Sequence, residues 1–110
     1  MKLRTVISAV LPICLAESVG VRAVSASDLL AYGEHLAQEC VTCHRRDGAG
    51  RNSGIPPIAG LGQDDFIEAM KLYKSGVRPN QVMVSVARSL DETQIKALAA
   101  YFAQQGPVKK

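Results

Sequence analysis

Two cysteines and a histidine stand close together in the chain as Cys40, Cys43 and His44, within the segment Cys-Val-Thr-Cys-His. The pattern C-x-x-C-H is typical of covalent attachment of haem c. At the end of a helix, two cysteines with this spacing reach the two vinyl groups of one haem, and the adjacent histidine lies under the iron as an axial ligand. The segment therefore predicts one covalent haem c, anchored by Cys40 and Cys43, with its iron ligated by His44.

Three other kinds of site also use closely spaced cysteines. A thioredoxin-like redox pair belongs near a βαβ pattern, and this sequence has no convincing alternating strand. A structural zinc site needs four ligands, but beyond the N-terminal segment the chain has no third cysteine and only one further histidine, His35. A structural disulfide between cysteines this close in the sequence is unfavourable. Haem attachment is therefore the interpretation that the motif favours.

The first 26 residues have the pattern of a secretory signal peptide. Lys2 and Arg4 precede an apolar run at 6–16, and small residues at 24–26 offer a cleavage site. The run is shorter than the roughly 20 apolar residues of a membrane-spanning helix. We therefore expect cleavage of residues 1–26 and export to the periplasm, with an uncleaved membrane anchor as the alternative.

The predicted leader contains Cys14, which follows Ile13 and not a small residue. We interpret Cys14 as part of the discarded leader and not as a lipidated terminus. Cleavage leaves a mature domain at 27–110 with ten basic and nine acidic residues, a net charge of +1. This near balance argues against a nucleic-acid-binding protein, which would be far more basic. No stable membrane span is expected after cleavage.

The predicted mature domain divides into four helical pieces and glycine-rich loops. The four helices are expected to begin at about Asp28, near Asp64, at about Asn80 and at Asp91. Ser27 is the candidate N-cap of the first helix, which should run to about residue 39, and a capping-box-like pair opens the last. A chain of 110 residues fits one domain with a modest core. A large apolar cofactor would supply the missing interior.

The second axial ligand has three candidates in the mature domain: Met70, Met83 and His35. Haem iron used for electron transfer commonly has histidine on one side and methionine on the other. His35 lies in the helix that leads into Cys40, from which the far face of the iron is awkward to reach. Met70 lies within an amphipathic helix, where methionine usually fills the core. Sequence pattern alone does not separate Met70 from Met83.

Residues from about 30 to 105 resemble the class I bacterial cytochromes c. The resemblance rests on the C-x-x-C-H motif, the Pro-Pro-Ile-Ala-Gly stretch at 56–60, Met83, and the segment 90–92 that leads into the helix at 95–101. These features occur in the family's order. The resemblance implies an all-α, small single-domain cytochrome c fold, with about four helices and glycine-rich loops around one haem.

The same resemblance implies roles for individual residues. It assigns Met83 as the distal ligand, because the family's methionine lies in the short segment before the final helix. It assigns the carbonyl of Pro56 as the acceptor of a hydrogen bond from Nδ1 of His44, which would fix the imidazole. Gly33 and Tyr101 match the positions at which the family's first and last helices cross.

The expected function is one-electron transfer by a non-enzymatic periplasmic carrier, with redox proteins as partners. Residues 83–90 are also similar to the haem subunit of flavocytochrome c sulfide dehydrogenases. That likeness implies an alternative, a cytochrome subunit of a sulfide-oxidising complex with a flavoprotein partner. A five-coordinate iron that binds small ligands is the other alternative.

Six of the basic residues that follow the motif are candidates for a charged rim around an exposed haem edge, and we expect them mainly to be scattered solvated charges. They could instead steer an acidic partner, or one arginine could pair with a haem propionate. The sequence does not select among them. The six are Arg45, Arg46, Arg51, Lys74, Arg78 and Arg88.

Overall fold

The computed structural model describes residues 20–45 and 54–106, together with Val10 and Pro12. Within these residues it contains four α-helices and no β-strand, which confirms the predicted all-α domain. The helices are α1 (Ala26–Cys43), α2 (Gln63–Ser75), α3 (Gln81–Ser89) and α4 (Glu92–Gln104). In this described part of the chain, none of the helices is long and apolar enough to cross a membrane.

Three of the four helices begin at or next to the predicted positions, and residues at their ends satisfy free backbone groups or let the chain turn. Helix α2 ends at Gly76, whose φ of 79° lies in the left-handed region that glycine adopts without strain. Helix α3 is capped by Asn80, whose side-chain oxygen accepts from the backbone N–H of Met83 at 3.0 Å. Helix α4 begins with a capping box between Asp91 and Gln94.

The predicted N-cap of the first helix, Ser27, is wrong. Ser25 caps α1: its hydroxyl accepts from the backbone N–H of Asp28 at 3.1 Å, and the Asp28 carboxylate accepts from the backbone N–H of Ser25 at 3.2 Å. This reciprocal pair satisfies two free donors at once, which a cap at Ser27 would not do. The helix also continues past Glu39 to end at Cys43, so it carries both cysteines of the motif.

Helix α4 forms the centre of the core. It packs against α1 and α2, whereas α3 packs only against α2. Leu98 and Phe102 are the largest fully buried side chains, and the ring of Phe102 stacks on that of Phe66 with a centroid distance of 5.7 Å. The backbone N–H of Gly60 donates to the carbonyl of Phe102 at 2.8 Å, which ties the loop before α2 to the same core.

Helices α1 and α4 cross in close contact at Gly33. A Cβ atom at this position would lie 2.1 Å from the carbonyl oxygen of Ala97 and 2.9 Å from Cβ of Tyr101. No side chain fits in that space, so glycine is required here. The positions of Gly33 and Tyr101 at the helix crossing agree with those that the family resemblance implied.

Candidate functional site

Helix α1 presents the C-x-x-C-H motif at its C-terminal end. His44 is the C-cap residue, and its backbone N–H donates to the carbonyl of Cys40 at 2.8 Å. Residues three apart on a helix share a face, so Cys40 and Cys43 both lie on the wall of one cavity. The two cysteines do not form a disulfide with each other. The helix thus brings two thiols and an imidazole to one wall, as attachment to a single haem requires.

The imidazole of His44 is held by the loop that precedes α2. Its Nδ1 lies 2.6 Å from the carbonyl oxygen of Pro56, twelve residues further along the chain. A carbonyl can only accept, so Nδ1 carries the proton and donates this hydrogen bond. The ring is therefore oriented, and Nε2 is left as the nitrogen that can bind a metal.

A cavity of about 670 Å³ lies beside the motif. Its volume falls within the roughly 300–1,000 Å³ that is typical of small-molecule and cofactor sites. All five residues that the sequence analysis assigned to the site line this cavity: Cys40, Cys43, His44, Pro56 and Met83. Most of the remaining wall is apolar or aromatic and is formed by Leu36, Ile58, Leu61, Phe66, Ala69, Met70, Tyr73, Val82, Val86, Leu90, Leu98 and Pro57.

The residues present fit a haem c. The cavity combines mainly apolar walls, which suit a macrocycle, with two thiols and one oriented imidazole on a single side. Helix α3, which carries Met83, contributes another part of the wall. Soft sulfur and imidazole donors are the usual axial pair of an electron-transfer haem.

The two candidate methionines differ in their surroundings although both reach the cavity. Met70 is only 5% exposed and belongs to the buried core cluster with Phe66 and Phe102. Met83 is partly buried and packs against the edge of that cluster. The packing of the core accounts for Met70, whereas Met83 is less enclosed by the core. His35 is exposed on the cavity rim, on the same helix as the cysteines.

Sequence reasoning singled out Met83 on α3 and missed the rest of that helix face. Val82, Val86, Ser89 and Leu90 also line the cavity. Their spacing from Met83 is that of a single face of an α-helix. This periodic signal is present in the sequence and indicates that one face of α3, with its C-cap Leu90, is covered.

The surroundings of Cys40 argue against a thioredoxin-like redox pair. Burial raises the pKa of the Cys40 thiol, and the negative charge of Glu39 and the nearby Cys43 raise it further. Reactive cysteines of disulfide oxidoreductases have a lowered pKa. The zinc alternative needs four converging ligands, and the described residues include no group of three or more His, Cys, Asp or Glu side chains placed to hold a metal ion.

A helical domain that presents C-x-x-C-H to an apolar cavity, with the histidine oriented by a loop carbonyl, has the features of a c-type cytochrome. The sequence profile of cytochrome c matches residues 30–105, so this chain belongs to the cytochrome c family. Its cofactor is a covalently bound haem c, and the domain is an electron-transfer domain. The resemblance to class I c-type cytochromes and the predicted cofactor are thereby confirmed.

Comparison with characterised proteins adds three similar sequences. The chain is 33% identical over 94 residues to "Thiosulfate dehydrogenase electron acceptor" of Stutzerimonas stutzeri (strain A1501), covering 83% of this chain and 42% of that protein. A protein of the same name from Thiomonas intermedia (strain K12) is 33% identical over 75 residues, with coverages of 67% and 35%. "Cytochrome c4" of Pseudomonas aeruginosa is 32% identical over 75 residues, with coverages of 68% and 37%. The matched part of the chain spans less than half the length of each relative.

Proposed function

We propose that the chain is an exported one-electron carrier in which Cys40 and Cys43 hold the haem, and His44 and Met83 are the axial ligands of its iron. The observation that carries this proposal is the shared cavity. It is lined by the two thiols, by an imidazole whose Nε2 is left for a metal, and by a methionine from α3. An iron with two side-chain ligands has no open position for a substrate, so the domain transfers electrons without catalysing a reaction of its own.

Each group of residues has a separate task in this scheme. The bound haem supplies a reversible one-electron change between Fe(III) and Fe(II). Pro56 holds the Nδ1 proton of His44, which fixes the orientation of the imidazole and raises its basicity. The apolar walls keep water away from the centre, and a methionine ligand raises the reduction potential.

The ligand assignment is tested by a matched pair of variants, Met83→Leu and Met70→Leu. Leucine preserves most of the side-chain volume, so packing should change little in either variant. We expect both proteins to keep covalent haem. Only Met83→Leu should lower the reduction potential and abolish the weak long-wavelength absorption band of methionine-ligated ferric haem.

The reduced proteins give a second readout. Wild type and Met70→Leu should not bind carbon monoxide, whereas Met83→Leu should bind it at the freed position. The reverse pattern, with the potential falling only in Met70→Leu, would refute the assignment. Carbon monoxide binding by the wild-type protein would instead favour the five-coordinate alternative.

We also propose that residues 1–26 are a cleaved leader and that 27–110 is the periplasmic cytochrome domain. Most of the leader lies outside the described residues, and its support is the signal-peptide pattern together with haem c attachment outside the cytoplasm. Cleavage after Ala26 would also remove Ser25 and with it the capping box of α1. Mass spectrometry of the periplasmic fraction should find 27–110 plus one haem. A full-length chain in the membrane fraction would contradict this.

The electron donor that the comparisons favour is an oxidoreductase acting on a reduced sulfur compound. Two of the similar proteins are named as electron acceptors of thiosulfate dehydrogenase. Purified ferric protein should then be reduced by thiosulfate in the presence of a thiosulfate dehydrogenase, followed by absorbance, and not by thiosulfate alone. Absence of reduction would exclude this donor.

The likeness of residues 83–90 to a flavocytochrome haem subunit supports a second candidate. In that case the chain would be the cytochrome subunit of a sulfide-oxidising oxidoreductase, bound to a flavoprotein. Purification of the native protein distinguishes the two. A flavin-containing chain that co-purifies through size exclusion supports the subunit, whereas a protein that elutes without flavin supports the free carrier.

A further inference from the structure

Three acidic or basic side chains line the cavity, in addition to the two histidines. They are Glu39, Asp65 and Arg78. A haem brings two propionate carboxylates, and a carboxylate placed near protein needs a cation, hydrogen-bond donors or water. Within the described part of the chain, Arg78 is the only lysine or arginine on the cavity wall. The two acids would repel a carboxylate, so Arg78 marks the part of the wall that attracts one.

The chain reversal after α2 places Arg78 at the cavity. Gly76 ends the helix in the left-handed conformation, and the backbone N–H of Arg78 then donates to the carbonyl of Leu72 at 3.1 Å. The guanidinium carbon lies 4.8 Å from the centre of the Tyr73 ring. Tyr73 also lines the cavity. The arginine is therefore supported by an aromatic face and a backbone hydrogen bond.

The other basic residues that the sequence left open are held elsewhere. The ammonium group of Lys74 donates to the carbonyl of Leu90. Nε of Arg88 donates to the carbonyl of Lys74 at 3.2 Å. Neither side chain lies on the cavity wall, nor does that of Arg45. Arg46 and Arg51 lie outside the described residues.

The geometry points to Arg78 as the binding residue for a haem propionate, with the Tyr73 ring positioning its guanidinium. This inference rests on the proposed haem site. A guanidinium presents a planar fork of N–H donors that can bind both oxygens of a carboxylate, and stacking on an aromatic ring restricts its orientation. Cation–π contact with Tyr73 leaves the edge of the fork, where the N–H donors lie, available to the propionate.

A cation beside the haem has an electrostatic consequence. The oxidised haem carries one more positive charge than the reduced haem, so a nearby guanidinium favours the reduced state. Arg78 should therefore raise the reduction potential. A more distant surface cation should have a smaller effect, because water and salt screen it.

The test compares Arg78→Gln, Arg78→Lys and a matched control, Lys71→Gln, in the haem-loaded protein. Lys71 is an exposed residue of α2 that does not line the cavity, so its replacement removes the same charge without touching the site. Resonance Raman spectra report the propionate bending vibration, which responds to hydrogen bonding of the carboxylate. Potentiometry is run on the same samples at low and high salt.

Arg78→Gln should shift the propionate band and lower the potential, and the potential difference should survive high salt. Lys71→Gln should leave the band unchanged and alter the potential only at low salt. Arg78→Lys should recover most of the potential but not the band, because lysine keeps the charge and loses the fork. An unshifted band in Arg78→Gln would overturn the inference.

Failure of the proposed haem site would be recognised separately. Covalent haem content and the methionine-to-iron absorption band are measured on every variant, and both should equal wild type in all three. If covalent haem or the methionine band is absent from the wild-type protein itself, the haem site is wrong. If both are present and only the propionate band fails to respond, the role of Arg78 alone is wrong.

Discussion

Gly33→Ala should destabilise the domain, because α1 and α4 have no room for a methyl group at their crossing. The added Cβ would lie 2.1 Å from the carbonyl oxygen and 2.8 Å from the carbonyl carbon of Ala97, and 2.9 Å from Cβ of Tyr101. All three atoms belong to the α4 backbone or to a Cβ, so none can rotate away. The two helices must move apart instead.

The size of the effect follows from two opposing contributions. Alanine is favoured over glycine inside a helix by about 1 kcal/mol. Overpacking typically costs about 1–3 kcal/mol, and a clash with backbone belongs at the upper end. An opening of about 1 Å also forfeits up to roughly half of the dispersion energy of the contacts along it. We expect the free energy of unfolding to fall by about 2 kcal/mol, the upper overpacking cost less the helix-propensity gain.

Guanidinium chloride unfolding, followed by far-ultraviolet circular dichroism, measures this change as a lower midpoint with an unchanged slope. Glu34→Ala is the matched control. It lies on the exposed side of α1, and an exposed substitution of this kind should change stability by no more than about 0.5 kcal/mol. If Gly33→Ala is as stable as wild type or more so, the close crossing does not exist as described.

Two further substitutions test the helix ends that frame the site. Gly76→Ala should lower the free energy of unfolding by about 1–2 kcal/mol, because a residue with a Cβ is strained at the left-handed φ of 79°. Thermal or denaturant unfolding measures this change, and Gly76→Asn should lower the free energy of unfolding by less. Asp91→Ala should lower the free energy of unfolding by about 1 kcal/mol, because it removes the cap that accepts from the Gln94 backbone N–H at 2.8 Å. Hydrogen exchange should show faster amide exchange in the first turn of α4, whereas Asp91→Asn should behave like wild type.

The last helix could be predicted from the sequence because its signals are local and agree. The capping box between Asp91 and Gln94 marks its start, and the apolar stripe of Ile95, Leu98 and Phe102 is buried as its spacing requires. The start of α1 has a signal of the same kind, although the predicted cap was placed two residues too late. Ser25 and Ser27 are both good caps by residue type, but only Ser25 has an acid three residues later, and the capping box that it forms with Asp28 is a local signal that the choice of Ser27 overlooked.

The candidate site also contains some residues that local sequence signals identify and others that they do not. Cys40, Cys43 and His44 fall within five residues, so their chemistry could be predicted directly from the sequence. The assignments of Pro56 and Met83 came from the family resemblance, because nothing local links either residue to His44. The structure supplies the 2.6 Å contact between His44 and Pro56 and the common cavity with Met83.

Arg78 shows why surface charges are harder to assign. In the sequence it is one of the six candidate basic residues, with nothing to distinguish it from the other five. Its position at the cavity depends on the left-handed turn at Gly76 and on the ring of Tyr73. The turn at Gly76 and the contact with Tyr73 both depend on the direction of the chain after α2. Sequence composition and periodicity do not report that direction.

The packing of the helices explains why the two proposed iron ligands are coupled to the fold. Helix α1, which leads into His44, packs only against α4 among the helices, while α3, which carries Met83, packs only against α2. The cavity lies between these elements and takes its walls from both. Helix packing links α1 to α3 only indirectly, through α4 and then α2. A group bound in the cavity would contact both α1 and α3 directly. A bond from Met83 to the haem iron would therefore hold α3 in place, and loss of that bond should loosen α3 before it disturbs the α1–α4 pair.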